Sequence, residues 1–148
     1  MNIQRATAVD LPFIAVLLSQ DRLPADDLTA TALEHFLVLR HEGVVSGAVG
    51  LEPQSGIALL RSLVVSSDVR GRGFGGLLTD AAEALATRLG VTSIYLLTTS
   101  ADAFFAMRGY QRVERSEAPQ AIRSTTQFSA LCPASAVLMS KRLARNEN

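Results

Sequence analysis

The sequence predicts an α+β fold with a central sheet flanked by helices, and three observations support this class. Strand-like and helix-like segments alternate along the chain. The apolar run Ile57 to Val65 has the character of a central strand. A glycine-rich segment, 70–76, then leads into a helical repeat of apolar residues. With 148 residues, 48% of them apolar and 19% charged, the chain is expected to form one domain over residues 1–148.

The elements follow in order from local patterns. Residues 2–5 predict a strand, and Thr7 to Asp10 has the pattern of a capping box before a helix that ends near Ser19. The weakly periodic residues 28–33 predict a second helix, and 35–40 and 44–51 predict two strands joined by a turn. After the strand at 57–65, a helix is expected over 77–89, closed by Gly90. A strand is expected at 93–98 and a short helix at 102–107. Two more strands are expected at 110–114 and 136–143, with an irregular segment at 117–133 between them.

Composition excludes several classes of function. Fourteen basic and fourteen acidic residues balance, so no charge imbalance points to nucleic acid or an anionic membrane, and a small partner is expected. Cys132 is the single cysteine, which excludes an intrachain disulfide and a cysteine-based zinc site, and no metal is expected. No apolar run reaches the roughly 20 residues of a membrane helix, and the N-terminus lacks a signal-peptide core. A cytoplasmic protein is therefore expected.

The segment Arg-Gly-Arg-Gly-Phe-Gly at 70–75 is the most informative motif. Unpartnered N–H groups at a helix N-terminus, with glycines that allow close approach, predict an anion site. A Walker A loop is excluded because Gly76 is followed by two leucines and not by Lys-Ser or Lys-Thr. A dinucleotide fingerprint fits Gly71, Gly73 and Gly76, but no acidic residue follows between 84 and 101 to hold the ribose. An ordinary glycine-rich turn is the plain alternative.

The remaining pattern, Arg-x-x-Gly-x-Gly at Arg70, Gly73 and Gly75, resembles the pyrophosphate loop of the GNAT superfamily of acyl-CoA-dependent N-acyltransferases. The stretch from Phe104 to Tyr110, with its Gly-aromatic pair, and the order of the elements are similar to that superfamily as well. Residues 121–136 resemble a bacterial subgroup named as arsenic-resistance N-acetyltransferases. The resemblance implies a GNAT fold with a mixed, mostly antiparallel central sheet, splayed at the strand that binds CoA.

The resemblance also implies acetyl-CoA as co-substrate and direct acyl transfer in a ternary complex, without a metal. The pantetheine arm would bind the strand backbone and Phe105 would pack by the CoA arm, while the loop would hold the pyrophosphate. The implied cofactor-binding residues are Leu63, Val64, Val65, Arg70, Gly71, Arg72, Gly73, Phe74, Gly75, Gly76 and Phe105.

The candidate catalytic residues are Glu52 and Ser62. Many members of the superfamily carry a carboxylate base on the central strand, but the strand 57–65 contains none. The base that deprotonates the amine would then be Glu52, Glu42 or a water held by backbone carbonyls, and these alternatives stay open. An N–H group of the strand that contains Ser62 would stabilise the oxyanion. The superfamily's usual tyrosine, which protonates the thiolate, falls at Phe105, which lacks a hydroxyl, so the proton would come from solvent or from a protein acid that the sequence does not mark.

The candidate substrate-binding residues are Arg61, Thr126 and Cys132. Arg61 interrupts an apolar strand, so it either pairs with an acid such as Glu52 or binds an acceptor carboxylate, phosphinate or arsinate. Thr126 is alternatively a capping group, and Cys132 a small apolar residue. The predicted function is N-acetylation of a small amine, with an organoarsenical or phosphinic amino acid as the narrower hypothesis. A peptide N-acetyltransferase and an acyl-CoA sensor are the alternatives, and a homodimer stays open.

Overall fold

The computed structural model describes residues 2–144. Within this range the strands form one seven-stranded sheet in the order β1-β2-β3-β4-β5-β7-β6. The strands are β1 (Asn2–Arg5), β2 (Phe36–His41), β3 (Val44–Gln54), β4 (Ile57–Val65), β5 (Ser93–Thr98), β6 (Gln111–Arg112) and β7 (Val137–Arg142). The helices are α1 (Leu11–Gln20), α2 (Phe74–Arg88), α3 (Asp102–Met107) and α4 (Gln120–Arg123). The β4–β5 pair is parallel and the β1–β2, β2–β3, β5–β7 and β6–β7 pairs are antiparallel, so the sheet is mixed and mostly antiparallel, as predicted.

The described chain divides into two compact units. The first unit comprises residues up to Glu52 together with Leu60–Leu85. In it, β2 pairs with β1 and β3, and β2 turns into β3 through Glu42 and Gly43, whose φ angles of 53° and 78° suit a tight hairpin turn. Apolar side chains of α1 and of the sheet form its core: Ile14, Leu17, Leu18, Leu33, Phe36, Val38, Ala48 and Val64. This core supports the strands that carry the candidate site.

The second unit comprises Pro53–Leu59 and the chain from Ala86 onward. Here β7 lies between β5 and β6 and pairs antiparallel with both. The segment before β7 covers the sheet with a small apolar cluster made of Leu59, Ala118, Ile122 and Leu138. Arg115 ties this segment down, because it donates to the backbone oxygen of Ala136 at 2.9 Å and stacks on Phe128.

Most predicted elements are confirmed, and the exceptions have local causes. The helix predicted at 28–33 is wrong: only a short 3₁₀ helix forms, at Ala32–His35. The Thr29 hydroxyl accepts from the Ala32 N–H at 3.1 Å, and such side-chain bonds compete with helix formation. The strand expected at 110–114 shrinks to Gln111–Arg112, and the segment 117–133 contains α4 and a π-helical turn at Gln127–Leu131. No helix within residues 2–144 is long and apolar enough to cross a membrane.

Candidate functional site

Strand β4 is distorted at Ser62. This residue has a φ of 59°, a left-handed conformation that non-glycine residues seldom adopt within a strand. Ala58 to Arg61, directly before it, are all buried, as in a strand that is covered on both faces. The parallel pairs of β4 with β5 run from Ile57 to Leu59, and β4 continues to Val65 beyond them, consistent with the predicted splaying at this strand.

The glycine-rich loop leads from β4 into α2. A short 3₁₀ helix, Ser67–Val69, precedes Gly71 and Gly73, whose φ angles are 80° and 79°. A Cβ atom added to either glycine would meet no atom within 4 Å, so the surface beside the loop is open. Helix α2 begins at Phe74, earlier than predicted, and therefore includes two glycines in its first turn. The glycine-rich loop thus leads directly into the N-terminal end of α2, where the helix dipole presents partial positive charge.

Arg70 is fixed in place by two contacts. Its Nε donates to the Val65 backbone oxygen at 3.1 Å, and its guanidinium lies 2.8 Å from the Asp21 carboxylate at the end of α1. Arg72 is exposed. Beside the Arg70–Asp21 pair lies a cavity of about 340 Å³ lined by Leu17, Gln20, Asp21, Val65, Ser66, Ser67 and Arg70. The cavity therefore adjoins the end of β4 and the first residue of the loop, within the first unit.

Arg61 is buried and all its guanidinium nitrogens have acceptors. Two nitrogens contact the two carboxylate oxygens of Asp27 at 2.5 and 2.6 Å, and Nε donates to the Ser62 hydroxyl at 3.0 Å. Glu52 accepts from Arg61 at 3.5 Å, and the guanidinium lies 5.6 Å from the centre of the Phe36 ring. The pairing with Glu52 considered from the sequence is therefore present, and Asp27 is the closer partner.

Glu52 has an electrostatic environment that favours its neutral form. Burial raises the pKa of this carboxyl, Arg61 lowers it and the Asp27 carboxylate raises it again, with a net upward shift in pKa. The side chain still keeps 35% of its exposure, so a ligand can reach it. An accessible carboxylate with a raised pKa can accept a proton more readily than an ordinary one. Glu42, the other candidate base, lies at the tip of the β2–β3 hairpin and is 86% exposed.

Asp27 was missed by the sequence analysis. It lies in the irregular segment between α1 and β2, where neither periodicity nor a motif marks it. The available signal was Arg61 itself, because a charge in a buried strand needs a partner. With fourteen acidic residues in the chain, that signal could not choose among them.

The other predicted residues lie in the second unit, where each has local surroundings. Phe105 is buried and makes edge contacts with the rings of Phe104 and Tyr110, at centroid distances of 5.0 and 5.5 Å. Thr126 is exposed and directly precedes the π-helical turn. The Cys132 sulfur lies 3.6 Å from the side-chain oxygen of Gln127. Across residues 2–144, no group of three or more His, Cys, Asp or Glu is arranged to hold a metal ion.

A model of the acetyltransferase (GNAT) family matches residues 9–113 of the chain. The chain belongs to this family. The predicted GNAT fold and the predicted family are confirmed.

Similar proteins agree with this placement. The chain is 29% identical to an amino-acid acetyltransferase of Ralstonia nicotianae over 90 residues, and this match covers 60% of the chain and 20% of that protein. It is 34% identical over 94 residues to an uncharacterized N-acetyltransferase of Chlorobaculum tepidum, with 61% and 60% covered. The chain thus spans less than two thirds of either relative.

Solved structures share the fold. The N-acetylglutamate synthase of Neisseria gonorrhoeae, complexed with coenzyme A and N-acetyl-glutamate, has a TM-score of 0.84 at 23% identity, covering 97% of this chain and 35% of that one. A Mycobacterium tuberculosis protein in complex with CoA has a TM-score of 0.82 at 21% identity, covering 97% and 100%. At these identities the likeness supports the fold.

Proposed function

We propose that the protein transfers the acetyl group of acetyl-CoA to the amino group of a small molecule, with Glu52 as general base. The observation that carries this proposal is the partly exposed Glu52 carboxyl with its raised pKa, in the same unit as the distorted β4 and the glycine loop. An aliphatic amine is mostly protonated at neutral pH and must lose a proton before it can attack. Glu52 would accept that proton.

Acetyl-CoA would bind along the end of β4 and the loop. The backbone of Leu63 to Val65 would pair with the pantetheine arm as an added strand does. The N–H groups of residues 70–76 would hold the pyrophosphate, since Gly71 and Gly73 leave open space on that side. Arg70, already oriented by Asp21, and the exposed Arg72 would add positive charge.

The transfer needs few protein groups. Glu52 takes one proton from the ammonium group, and the neutral amine nitrogen then attacks the thioester carbonyl carbon. The carbon–sulfur bond breaks to release the CoA thiolate, and the second proton that the nitrogen loses as the amide forms passes through solvent to the thiolate. We assign the role of stabilising the oxyanion to the backbone N–H groups around Ser62, whose hydroxyl accepts from Arg61.

The acceptor we propose is an amino acid or a similar small amine. The Ralstonia relative is an amino-acid acetyltransferase, and one guanidinium here faces two carboxyl groups, which favours an approaching ammonium group. Organoarsenical and phosphinic amino acids are the narrower candidates. Their anionic group would have to displace Asp27 to reach Arg61.

Product analysis tests the proposal. Mass spectrometry would follow acetyl-CoA with ordinary amino acids including glutamate, their arsinic and phosphinic analogues, and short peptides. We expect acetylated small amines, and a loss of roughly 10²–10⁴-fold in kcat/KM for Glu52→Gln. Glu42→Gln is the matched control and should keep wild-type activity. Acetylation of peptides alone, or acetyl-CoA binding without any product, would overturn the proposal.

A further inference from the structure

The Arg61 guanidinium is oriented towards Asp27. Both oxygens of Asp27 contact it, at 2.5 and 2.6 Å, in the two-pronged geometry that makes arginine–carboxylate pairs strong. The ring of Phe36 lies against the guanidinium, and the Ser62 hydroxyl accepts a hydrogen bond from the third guanidinium nitrogen. With 2% and 15% side-chain exposure, Arg61 and Asp27 form a nearly enclosed pair.

Glu52 receives only what remains of this guanidinium. A single nitrogen reaches it, at 3.5 Å, and that same nitrogen also donates to Asp27 at 2.5 Å. Such a long, shared contact stabilises a carboxylate much less than a short bidentate pair does. Glu52 therefore lies beside a positive charge without forming a short, bidentate ion pair with it.

We propose that Asp27 is a positioning residue that keeps the Arg61 guanidinium from pairing fully with Glu52, so that Glu52 stays able to accept the proton of the acceptor amine. This inference rests on the proposed role of Glu52. Asp27 acts through Arg61 and need not touch the substrate.

The groups around Glu52 shift its pKa in opposite directions, so each variant is expected to move that pKa in a defined direction. Arg61 from β4 and Asp27 from the segment between α1 and β2 are the charged groups that shift the pKa of Glu52, while Phe36 from β2 is apolar. Burial is the largest cause and raises this pKa, Arg61 comes next and lowers it, and Asp27 raises it by less. Without Asp27, the freed guanidinium would turn to Glu52 and lower its proton affinity.

The test is the pH dependence of kcat/KM between about pH 5 and pH 9. The fall in kcat/KM on the acid side of this profile, the acid limb, reports the pKa of the general base. For Asp27→Asn we expect the acid limb to move to lower pH and the plateau to fall, by less than Glu52→Gln. Asp27→Glu should restore the wild-type limb. Asp26→Asn is the matched control: it removes the same charge from the neighbouring, exposed residue and should leave the profile unchanged.

A double variant reverses the sign. In Arg61→Gln with Asp27→Asn, the larger lowering influence and the smaller raising one are both lost, so the acid limb should move above the wild-type position. This pair also leaves no unpaired buried guanidinium, so it tests the inference even where Asp27→Asn alone does not fold. A limb that moves down in the double variant, or does not move in a folded Asp27→Asn, would overturn the inference.

The two proposals fail in different ways. Full activity in Glu52→Gln would remove the base assignment, and with it the role of Asp27. An inactive Glu52→Gln together with an unmoved acid limb in Asp27→Asn would remove the role of Asp27 alone.

Discussion

Replacing Gly50 by alanine should disturb the support of the Arg61 cluster. Gly50 on β3 lies opposite Phe36 on β2, and an added Cβ would fall 2.2 Å from Cε1, 2.3 Å from Cζ and 2.6 Å from Cδ1 of the ring. Real contacts of this kind are never so short, so the ring or the strand must move. Phe36 is fully buried in the core of the first unit, which leaves the ring nowhere to go.

The size of the effect follows from that confinement. Overpacking a core typically destabilises by about 1–3 kcal/mol, and a clash with a confined ring belongs at the upper end, near 3 kcal/mol. For a chain of this size that corresponds to a fall in Tm of roughly 6–12 °C. Because the ring lies against Arg61, its displacement should also lower kcat/KM in the fraction that remains folded.

Urea unfolding followed by circular dichroism measures the loss directly. Gly50→Ala combined with Phe36→Leu should be less destabilised than the sum of the two single variants, because the smaller side chain relieves the clash. Gly47→Ala is the control on the same strand: its Cβ would meet the Leu78 Cδ1 at 2.9 Å and the Val64 backbone oxygen at 3.1 Å, both longer than the contacts at Gly50, so it should destabilise less. A Gly50→Ala protein within about 0.5 kcal/mol of wild type would refute the reasoning.

Three further predictions concern the loop and two carboxyl groups. Gly73→Ala should raise the acetyl-CoA Kd about tenfold or more in calorimetry, because a methyl group enters the open space proposed for the pyrophosphate, whereas Gly43→Ala, with a similar φ of 78° and equally open surroundings, should lower stability without changing the Kd. Burial raises the pKa of Asp10, but the Thr7 N–H and Arg40 outweigh it and the net shift is downward. Its stabilising effect is therefore present above the ordinary carboxyl pKa and lost in acid, so Asp10→Asn should destabilise at neutral pH and the gap in urea unfolding should close below about pH 4. The raised pKa of Glu52 has the opposite sign: stability falls as the pH rises through it, so Glu52→Gln should be more stable than wild type at pH 8 and equal to it near pH 4, and a less stable variant at pH 8 would contradict this.

The sequence predicted the elements whose signals are local. The strand Ile57–Val65 forms with the predicted bounds because its apolar run lies between turn residues, and the hairpin forms because Gly43 can adopt a positive φ. The site was predicted only in part. The buried position of Arg61 indicated that an acidic partner must exist, but that partner, Asp27, lies 34 residues away in an irregular segment. Pairing between distant segments is decided by packing of the whole chain, and a local pattern carries no record of it.

Three unfavourable features lie close together in the chain at the proposed site. Ser62 is held in a left-handed conformation, Arg61 is a charge in a buried strand, and Glu52 has a raised pKa. Each costs free energy of folding, and residues in such states persist only where the surrounding structure enforces them. The apolar core formed by α1 and the sheet, which includes Phe36, supplies that enforcement. If Glu52 acts as the base, changes that relieve its environment should stabilise the fold while slowing acetyl transfer, because the features that destabilise the carboxylate are those that make it accept a proton.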